Sequence, residues 1–357
     1  MVGENERKDS PRSNRTLRRT QPMAKAKAKN QPKRKTRKKV RIALIGAGGR
    51  ALTAHYPSLR DIPAAELVAV SELDEQRLHK VCDEYKIKGR YSDYRQMLER
   101  EKPDAVYAIM PPHHLYDVCA TTIEHGCHLI IEKPPAVTTE QIRQLAALAR
   151  RHNVLTGVAF QRRFAPVIRR GKTLCEKRGT VHTAHASFYK NWVGGAPYYR
   201  GAMDMLTCDG IHAVDTLRYL CGGEVESVAS DSRRLDAGHW NIHLAMVRFS
   251  SGATGLLLNN FMAGRRMFSV EVHSPGISFF GDPEEGGQLY ADNKTEPIDE
   301  LDPFALAKSE EDYRAFGTYD INRHFVDCML KGKNPETNFD DAIKTMELVD
   351  AVYGSQI

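Results

Sequence analysis

Glu132-Lys133-Pro134-Pro135 closes an apolar run, HLIIE (128–132), that reads as a buried parallel strand. Ligands of open parallel sheets bind beyond the carboxyl ends of the strands. A lysine at that place can hydrogen-bond a substrate oxygen and stabilise negative charge developing on it; the alternative is a surface lysine after a strand. In CDGIHAVDTLRYL (208–220), Ile211, Val214, Leu217 and Leu220 recur at helical spacing, while Asp209 and His212, three apart, share another face. A hydride that leaves a carbinol carbon requires the hydroxyl proton to leave too. Histidine, with an ordinary pKa of about 6.5, suits that task, and a neighbouring carboxylate can orient it. The competing account makes Asp209 a helix N-cap and His212 a solvated residue.

Such chemistry needs a hydride carrier, and VRIALIGAGGRA (40–51) has the pattern to hold one. A strand that stops at G-x-G-x-x-A and runs into a helix cradles a dinucleotide pyrophosphate. Gly46 allows the sharp turn, Gly48 lets the backbone approach the phosphates, and Ala51 lets the helix pack on the strand. An ordinary glycine-rich turn of another α/β protein is the alternative. Glu72 follows the second strand, 26 residues past Gly46. A carboxylate there accepts hydrogen bonds from ribose hydroxyls and repels a 2′-phosphate, which leans towards NAD over NADP.

The elements that must position these residues alternate. VRIALI (40–45), ELVAV (66–70), DAVYAIM (104–110), HLIIE (128–132) and LTGVAF (155–160) read as buried strands, with helices over 74–86, 93–101, 115–125 and 138–153 between them. Thr138 and Gln141 fit a capping box. This predicts an α/β domain with a doubly wound parallel sheet over 40–160. After residue 160 strands dominate, at 182–190, 227–235, 241–249, 253–261, 266–273 and 277–281, with a helix near 209–220 and a final pair near 317–331 and 340–353. An antiparallel sheet follows for 161–357, with Ser250-Ser251-Gly252 as a hairpin turn.

Charge separates the tail from the body. Residues 1–41 carry a net +13, and the remainder a net −6. The expectation is a disordered basic tail over 1–39, so that nucleic-acid binding is arguable for the tail alone. Its PKRKTRKK could be a nuclear address or a solvated extension. No run of 18 apolar residues predicts a transmembrane helix. Seven scattered cysteines without a CxxC predict reduced thiols in a cytoplasmic compartment and no metal site.

Together GAGGRA (46–51), EKP (132–134), QRRF-P (161–166), DGIHAVD (209–215) and the segment 324–355 resemble the glucose–fructose oxidoreductase, inositol dehydrogenase and MocA-like oxidoreductases. The resemblance covers about 40–357. It implies a Rossmann domain followed by an α+β domain with a large, mostly antiparallel open sheet, often used for homo-oligomerisation. It implies an NAD(P)-dependent redox step on a sugar, cyclitol or related polyol. By that resemblance Lys133 contacts substrate and cofactor, His212 accepts the proton and Asp209 assists. Gly46, Gly48, Gly49, Arg50, Glu72, Pro112 and Glu132 fall at the cofactor, and Arg163 and Tyr199 at the substrate. The chain departs from the family at Cys208, where an aspartate is common four residues before the histidine, and in PPHHLY (111–116), which replaces a loop that lines the nicotinamide. Tyr189, Trp192, Tyr198, Tyr199 and Arg200 either meet a sugar ring or pack in the sheet domain. Two other functions fit the same residues: a silent protein that senses dinucleotide or sugar, and a glycoside-cleaving enzyme that oxidises its substrate transiently.

Overall fold

The computed structural model describes residues 39–357. All of the expected tail but Lys39 lies outside that span. Six strands form a parallel sheet: β1 (Val40–Ile45), β2 (Ala65–Ser71), β3 (Gly89–Tyr91), β4 (Ala105–Ala108), β5 (His128–Ile131) and β6 (Thr156–Val158), in spatial order 3-2-1-4-5-6. Every residue of β4 and β6 is buried, as a sheet covered on both faces requires. The register sets the strand ends level. Ile45 lies opposite Ser71 and Ala108, Ala108 opposite Ile131, and Ile131 opposite Val158. Gly46, Glu72, Ile109 and Glu132 therefore emerge along one edge.

The helices between these strands begin where the sequence places caps. Asp74, Asp93 and Thr138 accept the backbone N–H groups of Arg77, Arg95 and Gln141. The Gln141 side-chain oxygen in turn accepts the Val137 N–H, so donors on both sides of the Thr138 cap are satisfied at the helix N-terminus.

The second sheet has eight strands: β7 (Thr183–Asn191), β8 (Val225–Arg233), β9 (Ile242–Phe249), β10 (Thr254–Asn260), β11 (Met262–Ser274), β12 (Ile277–Asp282), β13 (Gly286–Ala291) and β14 (Asp299–Leu301). Their order is 14-13-12-11-7-10-9-8, antiparallel except for the β7–β10 pair. Burial alternates along β9 and β10, so one face is covered. Helices Pro166–Glu176, Ile211–Cys221 and Phe339–Gly354 pack against it. On the other face Met246 and Leu256, cross-strand partners, are exposed.

Later chain returns to the first sheet. Phe325 and Val326, on helix Thr318–Lys331, join Ile42, Leu44 and Ile130 in one core, and Phe325 meets Tyr107 edge-on at 6.0 Å. Helix Phe339–Gly354 lies along helix Thr139–His152. Both helices lie beyond the division expected at residue 160 yet return to the first sheet, and helix Phe339–Gly354 packs on β8 and β9 as well, so it ties the two sheets together.

Candidate active site

The glycine loop leaves β1 through a turn that only Gly46 accommodates. Its φ is +102°, and a Cβ there would stand 2.2 Å from the Ile109 carbonyl oxygen. Helical backbone starts at Gly49 and runs to Arg60, through a π turn at Ala51–His55. A Cβ at Gly48 or Gly49 would meet no protein atom within 4 Å. The loop thus presents bare backbone to open space, which is the geometry a dinucleotide pyrophosphate needs. Beside it, Glu72 accepts the Ala47 N–H at 2.7 Å and the Asp74 N–H at 3.1 Å.

Glu132 closes β5 and is buried. It accepts Arg50 Nε at 2.8 Å and pairs with His55 Nε2 at 2.9 Å. Burial opposes its ionisation, but Arg50 and His55 hold it well below the usual carboxylate range. His55 is held in turn by Asn322, and Arg50 by Thr318, both from the returning helix.

Lys133 follows. Its Nζ donates to the Cys208 carbonyl at 2.8 Å and to Asp209 Oδ1 at 3.1 Å. A π turn at Leu206–Gly210 precedes helix Ile211–Cys221, and such turns gather at functional sites. Asp209 does not cap the helix. Its other oxygen accepts Lys190 Nζ at 2.8 Å and the Tyr198 hydroxyl at 2.5 Å. Burial again opposes ionisation, and Lys133 with Lys190 and Tyr198 outweighs it. His212 is buried rather than solvated. Burial, Lys133 and Arg162 push its pKa well below 6.5, so the ring is neutral at neutral pH. Its Nδ1 is buried without a partner, which leaves Nε2 as the accessible nitrogen.

One cavity of about 640 Å³ joins these groups. Gly48, Gly49, Arg50, Glu132, Lys133, Tyr199, Asp209 and His212 line it, as sequence reasoning expects. Gly46 and Glu72 stand behind the loop. Two placements differ from expectation. Pro112 is buried in the short turn Pro112–His114, and Met110 and Pro111 line the cavity instead. Arg163 is turned into the core, where it donates to Asp215 at 2.6 and 2.5 Å and pairs with Asp341 at 2.9 Å; its neighbour Arg162 faces the cavity. The expected substrate contact of Arg163 is therefore corrected: its guanidinium is buried, turned to two core carboxylates, and does not line the cavity. Of Tyr189, Trp192, Tyr198, Tyr199 and Arg200, the two that line the cavity are Tyr198 and Tyr199.

Sequence reasoning missed Lys190, Arg162, Arg266 and Glu284, which complete the lining. Lys190 sits near the end of β7, a place that could have been flagged by analogy with Lys133. Nothing local marks Arg266 or Glu284, because a strand pairing across 18 residues brings them together.

A model described as "Oxidoreductase family, NAD-binding Rossmann fold" matches residues 40–160, and one for the GFO/IDH/MocA C-terminal domain matches 176–281. The chain belongs to the GFO/IDH/MocA oxidoreductase family. It is an NAD-binding oxidoreductase. Among GFO/IDH/MocA relatives, a D-apiose dehydrogenase of Paraburkholderia graminis is 29% identical over 89% of this chain and 88% of its own. A myo-inositol 2-dehydrogenase of Thermotoga maritima is 27% identical over 72% and 76%. The fold matches a levoglucosan dehydrogenase solved with NADH and levoglucosan, with a TM-score of 0.76 at 20% identity, covering 89% of this chain and 97% of that one.

Proposed function

We propose that this chain oxidises a CH–OH group of a sugar, cyclitol or related polyol with NAD, Lys133 holding the substrate oxygen and His212 taking its proton. The observation that carries the reading is one cavity that holds a bare glycine loop, an ammonium fixed at both ends and a neutral imidazole.

Bound NAD supplies the hydride acceptor. The chain does the rest. Gly48 and Gly49 leave room for the pyrophosphate, and Arg50 stands beside it. Glu72, beside the loop, would accept the ribose hydroxyls and disfavour a 2′-phosphate. Lys133, pinned by the Cys208 carbonyl and Asp209, points an N–H at the reacting oxygen and stabilises its charge as the proton leaves. His212, with its own proton on Nδ1, accepts that proton on Nε2. The buried free cysteines support a reducing, cytoplasmic compartment. The exposed Met246–Leu256 pair supports self-association through the open sheet face.

The test is NAD reduction across a polyol panel, followed by absorbance. Lys133→Ala is expected to lower kcat by about 10²- to 10⁴-fold while NADH binding, read by fluorescence titration, stays within about threefold. Turnover that survives Lys133→Ala overturns the assignment.

A further inference from the structure

The charge of the cavity points to the substrate class, on the footing of the dehydrogenase reading above. Lys133, Lys190, Arg162 and Arg266 line the cavity with two carboxylates between them, Asp209 and Glu284; Glu132 also lines it but is paired with Arg50 and His55, and Asp282 stands near enough to act on both arginines. Asp209 is shared between the two lysines. Glu284 is shared between the two arginines: it pairs with Arg162 NH2 and accepts Arg266 NH1 at 2.7 Å. Burial opposes Glu284, yet the two guanidiniums bring its pKa down to about 2, so it is already spent as a counter-ion. With Asp282 counted, the four cations outnumber the carboxylates around them by one, and a carboxylate shared between two cations neutralises only one of them.

Arg162 is the sharpest case. It is 4% exposed, and its Nε and NH1 are buried without an acceptor. Its guanidinium lies 5.3 Å from the centre of the Phe268 ring. A guanidinium on the cavity wall matches a planar carboxylate better than a hydroxyl. A neutral hexose or cyclitol would leave the excess charge in place.

We infer that the substrate carries a carboxylate, that is, a polyhydroxy acid such as a uronate or aldonate, whose acid group binds between Arg162 and Arg266 while a hydroxyl meets Lys133 and His212. Arg266 is half-exposed and reaches Glu284 from β11, so it can turn to an incoming anion without disturbing the core.

The experiment measures binding and turnover separately. Calorimetry on the NADH-loaded enzyme compares glucuronate with glucose, gluconate with glucitol, and glucose 6-phosphate as the second anion. NAD reduction is followed on the same compounds. The acids are expected to bind at least about tenfold more tightly than their neutral partners, and Arg266→Gln to remove about 10- to 100-fold of that affinity while changing neutral-sugar affinity less than about threefold. Arg162→Gln is expected to act alike; if it fails to fold, Arg266→Gln decides alone. Neutral sugars that bind or turn over better than the acids overturn the inference and leave the dehydrogenase reading standing. Acids that bind but reduce no NAD support the carboxylate site and overturn that reading. Preference for the phosphate ester over both acids overturns the carboxylate.

Discussion

Asp209 is the single counter-ion of Lys133 and Lys190, and it also accepts the Tyr198 hydroxyl. Removing its charge leaves two ammoniums facing each other across an amide. Asp209→Asn is expected to lower kcat by about 10- to 100-fold, with NADH affinity kept, because the change loosens Lys133 without touching the glycine loop; steady-state kinetics and NADH titration check both halves. Glu72 is the residue proposed to favour NAD over NADP. Glu72→Ser is expected to raise kcat/KM with NADP by about tenfold or more, since the carboxylate goes and Arg77, 3.7 Å from it, stays; an unchanged NAD:NADP ratio would contradict this. Much of the site was legible in single residues. Lys133 and His212 stand at a strand end and on a helix face, two places that sequence marks. The orientation of neighbouring arginines was not: Arg162 and Arg163 differ by one position in a tight turn, and only packing against Asp215 and Glu284 decides which one faces the cavity.

At the scale of elements, the glycine loop separates folding from binding. Gly46→Ala forces a side chain into the Ile109 carbonyl at a φ of +102°, and is expected to cost about 2–4 kcal/mol of stability, measured by denaturant midpoint. Gly48→Val meets no protein atom. It is expected to leave the melting temperature within about 2 °C and to weaken NADH binding by at least about tenfold; equal damage to stability at both positions would sink this division. The strands of the first sheet were readable because parallel strands buried on both faces leave continuous apolar runs. β3, β13 and β14 were not, because Gly89-Arg90-Tyr91, 286–291 and 299–301 carry no such run and are defined by the strand beside them. Helix Pro166–Glu176 was passed over as well, although Pro166 at its first turn marks a start.

For the molecule as a whole, buried neutral histidines set the acid limit. His243 is fully buried, bonded to Ser232 at 3.0 Å, and burial lowers its pKa from 6.5 to about 4. Below pH 6.5 the unfolded chain takes up a proton that the folded chain refuses, so stability is full above 6.5 and falls as pH drops towards 4. That single group accounts for roughly 3 kcal/mol, and His212, depressed in the same direction, adds to it. Urea midpoints between about pH 7.5 and 4.5 are expected to fall steadily, and His243→Gln to flatten the slope. The two sheets meet at the cavity proposed as the active site, with Lys133 from the first and His212 from a helix packed on the second. The most direct test of that meeting is isotope transfer. With NAD and a substrate deuterated at the oxidised carbon, the wild-type protein should yield NADH one mass unit heavier, and Lys133→Ala and His212→Ala should each bind NADH yet transfer almost no deuterium. Deuterium reaching NADH at the wild-type rate in either variant would contradict the account.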